Sequence, residues 1–214
     1  MGRYRTQLLA AITTILVASS APAFADAIHR NPDQHPRTLG MTTFGPTSIP
    51  VGYYDYCERR PARCRLKADD RAVELTAATW RTMVSVNRRV NRAVRPVTDI
   101  DLFGVTEFWD YPGEAGDCED YVLEKRRRLH EAGFPLGSLL ITVAHDEYGG
   151  GHAVLTVVTD KGDFVLDNVE KRVLPWQKAE LHYLKRQARN DPNAWVDLSA
   201  DGGRRLDETY ASVR

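Results

Sequence analysis

The chain has 214 residues, 43% of them apolar and 27% charged, and its formal net charge is zero. That apolar share is enough for a packed core, and the balanced charge excludes the electrostatic footprint of a nucleic-acid or anionic-lipid binder. The one local basic block, Lys125-Arg126-Arg127-Arg128, points in several directions around a helix and is expected to form a solvated face.

Residues 1–25 have the layout of a secretory signal peptide. Arg3 and Arg5 give a positive start, LLAAITTILVASS is a short apolar run, and Ala23-x-Ala25 is a cleavage site. The run is too short to span a bilayer. No cysteine closely follows the cleavage point, so a lipid anchor is not indicated, and the expected address is the periplasm. Residues 26–50, rich in Pro, His, Thr and Gly, read as an extended lead-in. The main folded domain is expected over 51–200, followed by a polar tail over 201–214. No internal repeat is present.

Export decides how the three cysteines are read. An oxidising compartment favours disulfides, and YCERRPARC holds Cys57 and Cys64 close enough to be bridged across a proline-containing turn. Their spacing does not match the two to four residues usual between zinc ligands. Cys118 is then the odd thiol.

From Asp69 or Asp70 to Val94 the spacing of Val73, Ala77, Trp80, Val84, Val86 and Val90 predicts a helix, ended by Pro96. Asn87 and Asn91 lie four apart on it, either as ordinary hydrogen-bonding positions or as support for a site. A connection rich in turn residues and aromatics leads to a second helix opening at Asp117. The Asp117 side chain is expected to cap the first turn, with Asp120 in reciprocal contact. Strands follow at LLITVA, HAVLTVVT and DFVLDNV, and a helix is expected over QKAELHYLKRQAR. Helices first and a small antiparallel sheet after them make an α+β domain.

Thiol catalysis needs a cysteine held partly as thiolate, a histidine to carry the proton and a third group to orient the ring. Cys118 lies in the first turn of its helix, where free N–H groups stabilise negative sulfur and an oxyanion. His152 opens one strand after Gly149-Gly150-Gly151, and Asp167 ends the partner strand. If Val158 faces Asp163 across the turn, Asp167 falls opposite Val154. It is then diagonal to His152, at roughly 7–8 Å between positions and within side-chain reach. A turn at Lys161-Gly162 would slip the register and part the two. The triad therefore predicts the register.

GDCEDY, then HAVLTVVTDKGDFVLDN, then a tryptophan, with the VNRRVN helix and the FWDYPGEAGDCEDY approach, resemble the bacterial transglutaminase-like cysteine peptidases, the group that includes the LapG-type periplasmic proteases. The likeness spans about residues 40–200. It implies a papain-like, transglutaminase-like fold, with N-terminal helices packed on a small antiparallel sheet. It also implies Cys118 as nucleophile, His152 as general base and acid, and Asp167 as orienting carboxylate. In LapG-type members the acids flanking the nucleophile help bind calcium, and they match Asp117 and Glu119. A hard cation takes carboxylate oxygens and removes a field that would raise the thiol pKa; Asp110 and Glu114 are further candidates nearby.

The expected activity is that of an exported cysteine endopeptidase acting on a protein substrate, such as a surface adhesin, with no organic cofactor. Release of adhesins by LapG-type members frees cells from biofilms. Two alternatives stand beside this reading: acyl transfer to an amine or side-chain amide cleavage by the same triad, and a non-catalytic periplasmic binding domain.

Overall fold

The computed structural model describes residues 40–65 and 69–199. The expected signal peptide, most of the expected lead-in and the expected tail lie outside the described residues. The apolar alternation of the second half builds the main sheet, and the first half supplies the helices that cover it.

Helix α1 (Val51–Arg59) is followed by a short α2 (Pro61–Cys64). Cys57 and Cys64 are joined by a disulfide, with their Cα atoms 5.6 Å apart, and Cys64 is buried in the main core. Helix α3 spans Ala77–Ala93, eight residues later than its apolar spacing suggests for the start. The reason is capping. Thr76 Oγ1 accepts a hydrogen bond from the Thr79 N–H and Thr79 Oγ1 accepts one from the Thr76 N–H, while Val73 is drawn into a bridge with Thr159. A short α4 (Asp99–Phe103) and helix α5 (Cys118–Glu131) complete the helices.

Seven strands form one sheet. They are β1 (Pro46–Thr47), β4 (Leu139–His145), β5 (Gly151–Thr159), β6 (Gly162–Leu166), β7 (Leu174–Pro175), β8 (His182–Gln187) and β9 (Trp195–Asp197), in the order β1-β9-β8-β4-β5-β6-β7. Every neighbouring pair is antiparallel. Strands β2 (Arg95–Pro96) and β3 (Ala115–Gly116) make a separate two-residue parallel pair before α5. Through β1, which pairs with β9, the last part of the lead-in is stitched into the sheet.

Period-two alternation places Leu139, Ile141, Leu155, Val157, Phe164 and Leu166 in the main core with Val122, Leu123 and Leu129 of α5 and Trp80 and Met83 of α3. On the other face, Val154, Val165 and Met41 form a smaller cluster covered by Trp176, Leu181, Tyr183 and Leu198. Helix α5 lies between the sheet and α3 and is buried around most of its circumference.

That position overturns the reading of the basic block. Lys125 and Arg126 are buried, and Arg126 donates to the Leu139 carbonyl at 2.9 Å. Arg127 and Arg128 clasp Glu124 at 2.7 and 2.6 Å. The block joins the helix to its surroundings and is not a solvated face.

The helix expected over QKAELHYLKRQAR is also absent. Its residues form a single 3-10 turn, Trp176–Lys178, and then β8. Strand β4 leaves hydrogen-bonding groups on the side away from β5, and β8 satisfies them. That tertiary demand outweighs a composition favouring helix.

Candidate active site

The hairpin of β5 and β6 turns on Asp160-Lys161, with Thr159 opposite Gly162 and Val158 opposite Asp163. The loop is two residues, and the register is the one the triad requires. Gly162 has φ of +113°, a conformation only glycine adopts readily. Thr159 Oγ1 fastens the turn by donating to the Gly162 carbonyl at 2.7 Å. Asp160 anchors it to the lead strand of α3, accepting from the Leu75 N–H at 2.7 Å.

At the far end of this hairpin His152 Nε2 meets Asp167 Oδ1 at 2.9 Å, with both side chains largely enclosed. Asp167 Oδ1 also accepts from the Val169 N–H at 2.9 Å. Burial works to raise the Asp167 pKa, but the His152 hydrogen bond and charge, that N–H and the charge of Lys125 outweigh it, so the carboxyl is held below its usual range. Asn91 on α3 donates to the Asp167 carbonyl at 2.8 Å, and Asn87 donates to the Lys171 carbonyl at 3.3 Å. Both asparagines therefore clamp the corner that carries Asp167.

Cys118 is the first residue of α5 and is half-buried. Its sulfur donates to Glu119 Oε2 at 3.1 Å, and the N–H of Ala153, the residue after His152, acts on it from β5 in the sense that favours thiolate. Gly116, two residues earlier, lets the Asp120 side chain lie against the backbone, where a Cβ would collide with it.

The acids around the thiol are arranged otherwise than as caps. Asp117 makes no side-chain cap; its Oδ2 accepts from the Asp99 N–H at 3.2 Å. Asp120 accepts from the Asp110 N–H at 3.0 Å instead of closing a capping box. Asp110 is taken by Arg60 at 2.8 Å and Glu114 is exposed, so neither joins Asp117 and Glu119.

The partner that does join them is Asp99, at the start of α4. One carboxylate oxygen from each of Asp99, Asp117 and Glu119 lies within 4.8 Å of the others. Asp99 Oδ2 accepts from the Phe108 N–H, while Asp99 Oδ1 and Asp117 Oδ1 are buried without a hydrogen-bond donor. No local pattern in the sequence marks Asp99, because a turn and a loop bring it across.

Charges this close raise each other's pKa. Burial first, then the charges of Asp117 and Glu107, push the Glu119 carboxyl up to about 9. Burial chiefly pushes Asp120 up to about 7. The Cys118 thiol is driven well above its ordinary value, first by burial and then by the charge and hydrogen bond of Glu119; the Ala153 N–H opposes this. Orphaned carboxylate oxygens converging beside a thiol suit a hard divalent cation, which would offset all three effects.

A helix that opens on a thiol and packs on an antiparallel sheet is the arrangement of the papain-like, transglutaminase-like class of fold. Residues 43–202 match the family described as bacterial transglutaminase-like cysteine proteinase BTLCP, and the chain belongs to that family. No curated protein matches it.

Among solved structures, EGTA-treated LapG of Legionella pneumophila is similar at 25% identity with a TM-score of 0.45, over 50% of this chain and 62% of that one. Legionella pneumophila LapG aligns at 23% identity and a TM-score of 0.48, over 63% and 76% of the two chains. Its calcium-bound form aligns at 18% and 0.46, over 73% and 98%.

Proposed function

We propose that the protein is an exported cysteine endopeptidase whose triad is Cys118, His152 and Asp167. The observation that carries this reading is the junction at the head of β5. The Ala153 N–H acts on the Cys118 sulfur in the sense that favours thiolate, while the adjacent His152 ring is braced by Asp167 at 2.9 Å. With Nε2 engaged by Asp167, His152 Nδ1 is the nitrogen left for the sulfur.

In the proposed reaction the S–H proton passes to His152 and the thiolate attacks the peptide carbonyl carbon. Backbone N–H groups at the start of α5 stabilise the oxyanion. The C–N bond then breaks, the amine leaves with the proton from His152, and a thioester remains. Water attacks the thioester, giving its proton to His152, and the acid departs as sulfur is regenerated.

Calcium is the proposed cation of the acid cluster, held by Asp99, Asp117 and Glu119. When bound it supplies positive charge beside the thiol, which favours thiolate. The proposed substrate is a protein of the periplasm or cell surface, such as an adhesin. Among the described residues no helix is long and apolar enough to cross a membrane.

The test is cleavage by the mature chain, scored by new protein N-termini. Cys118→Ser is expected to abolish cleavage while leaving the melting temperature within a few degrees, and His152→Ala to do the same. Retained cleavage in either variant would remove that residue from the mechanism. Labelled primary amine is expected to remain unincorporated; incorporation in place of cleavage would turn the reading to acyl transfer.

A further inference from the structure

Two turns behind Cys118 on the same face of α5 lies a side chain that the proposed chemistry does not use. Lys125 is fully buried, and its Nζ has no hydrogen-bond partner. An enclosed ammonium without an acceptor is costly, and nothing in the packing of an apolar core calls for one. Its surroundings are specific. Nζ lies 5.7 Å from the centre of the Tyr121 ring on its own helix, and the charge whose field reaches it is that of Asp167.

The corner around Asp167 is unusually polar for a buried region. Asn91 and Asn87 from α3 grip the carbonyls of Asp167 and Lys171. The amide oxygens of Asn87, Asn91 and the adjacent Asn168 are buried with no donor. Acceptors without donors and a donor without an acceptor thus lie on α3, on α5, which packs against it, and on the segment just after Asp167 that α3 grips. Asp167 also acts on the Tyr183 hydroxyl and on Glu170, so those two groups join His152 and Lys125 among the titratable groups in its field.

We propose that Lys125 is a positioning residue of the triad: an ammonium enclosed behind Asp167 that keeps the carboxylate ionised and moderates its hold on the His152 imidazolium. The physical need is balance. An unopposed buried carboxylate stabilises the imidazolium strongly and makes it a reluctant acid, whereas proton return to the leaving amine requires a ring that releases its proton readily. A positive charge on the far side of Asp167 weakens that stabilisation without touching the ring. Burial lowers the Lys125 pKa to about 7, so the ammonium form predominates on the acidic side of neutrality and is half-populated near pH 7.

The proposal rests on the triad reading, and its test does not need turnover. His152 ring resonances are followed against pH by NMR in the full mature chain carrying Cys118→Ser, at fixed excess calcium, with and without Lys125→Met. Methionine keeps the length and packing and removes the charge. The midpoint of the His152 titration is expected to rise by about half a unit or more, given an effective dielectric near 20 over several ångströms. The melting temperature is expected to hold or increase because a buried charge is gone. An unmoved midpoint overturns the proposal and leaves the triad intact. A Lys125→Met chain that fails to fold, with Lys125→Gln failing too, assigns the lysine to folding and also overturns it. Failure of the triad reading would appear separately, as cleavage retained by His152→Ala.

Discussion

Asn91 and Asn87 look alike in the sequence, one helical turn apart on α3, but they hold different parts of the same corner. Asn91 donates to the carbonyl of Asp167 itself, at 2.8 Å, while Asn87 reaches Lys171 at 3.3 Å. Removing either takes the donor from a partly buried carbonyl, which costs roughly 1–3 kcal/mol, or roughly 2–10 °C in a domain of this size. The catalytic consequences should diverge. Asn91→Ala is expected to lower kcat about tenfold or more with little change in KM, because Asp167 loses its register against His152. Asn87→Ala is expected to keep kcat within about threefold at a similar loss of melting temperature. Equal kcat losses would mean that the corner moves as one body and that Asn91 has no special role. Residue types alone pointed to Cys118, His152 and Asp167, because few side chains can do thiol chemistry and the hairpin count ties two of them together. Asp99 and Lys125 stayed hidden. One is brought to its site by a turn in a connection without periodicity, and the other sits in a run of positive charge that normally faces water.

The elements were legible wherever local pattern and tertiary demand agreed. β5 and β6 are apolar runs rich in β-branched residues on either side of a short turn, and of the registers that turn allows, the His152–Asp167 contact selects the one that pairs Val158 with Asp163. β8 was misread for the opposite reason: its residues favour helix, and its buried polar groups have distant partners. Arg186 meets Asp163 at 3.1 Å, and Gln187 bonds the Ile141 N–H at 3.1 Å and the Pro192 carbonyl at 2.7 Å. Spacing within the segment carries no trace of those partners. The α1–α2 unit depends on its staple in a way that can be measured. Helix α2 has only four residues, too few to persist alone, and the disulfide closes a short loop that ties it to α1. The chain-entropy argument gives about 2–3 kcal/mol for so short a loop. Cys57→Ser with Cys64→Ser is therefore expected to lower the melting temperature by roughly 5–10 °C. Intact mass should show a two-dalton deficit in the native chain that reductant removes. A double variant as stable as the native chain would show that packing of Cys64 in the core, and not the bridge, holds α2.

For the whole molecule, burying so many acids beside one thiol makes stability depend on pH in a direction that can be worked out. Glu119 is raised to about 9 and Asp120 to about 7, both far above ordinary carboxyls. Between the ordinary carboxylate range and pH 7 the folded chain therefore binds more protons than the unfolded chain, and stability falls as pH rises. Two such groups give a slope of roughly 2–3 kcal/mol per pH unit. Asp167 is shifted the other way, so its contribution is complete above the ordinary carboxyl pKa and is lost only as pH falls through its lowered value. Lys125, lowered from 10.5 to about 7, opposes the acids at the alkaline side: from pH 7 upwards the folded chain binds fewer protons there, and stability is regained. In EGTA, the melting temperature is expected to fall from pH 5 to 7 and then level. In the Lys125→Met chain the fall should continue towards pH 9. Calcium binds the folded state and stabilises it by mass action, but protons compete for the same carboxylate oxygens. Its increment is therefore expected to be small at pH 5 and to grow steadily up to pH 9. Differential scanning calorimetry with millimolar calcium or EGTA across that range tests both signs. A calcium increment independent of pH would mean that the cation binds away from Asp99, Asp117 and Glu119. A melting temperature that rises from pH 5 to 7 in EGTA would mean that the buried acids are not holding protons.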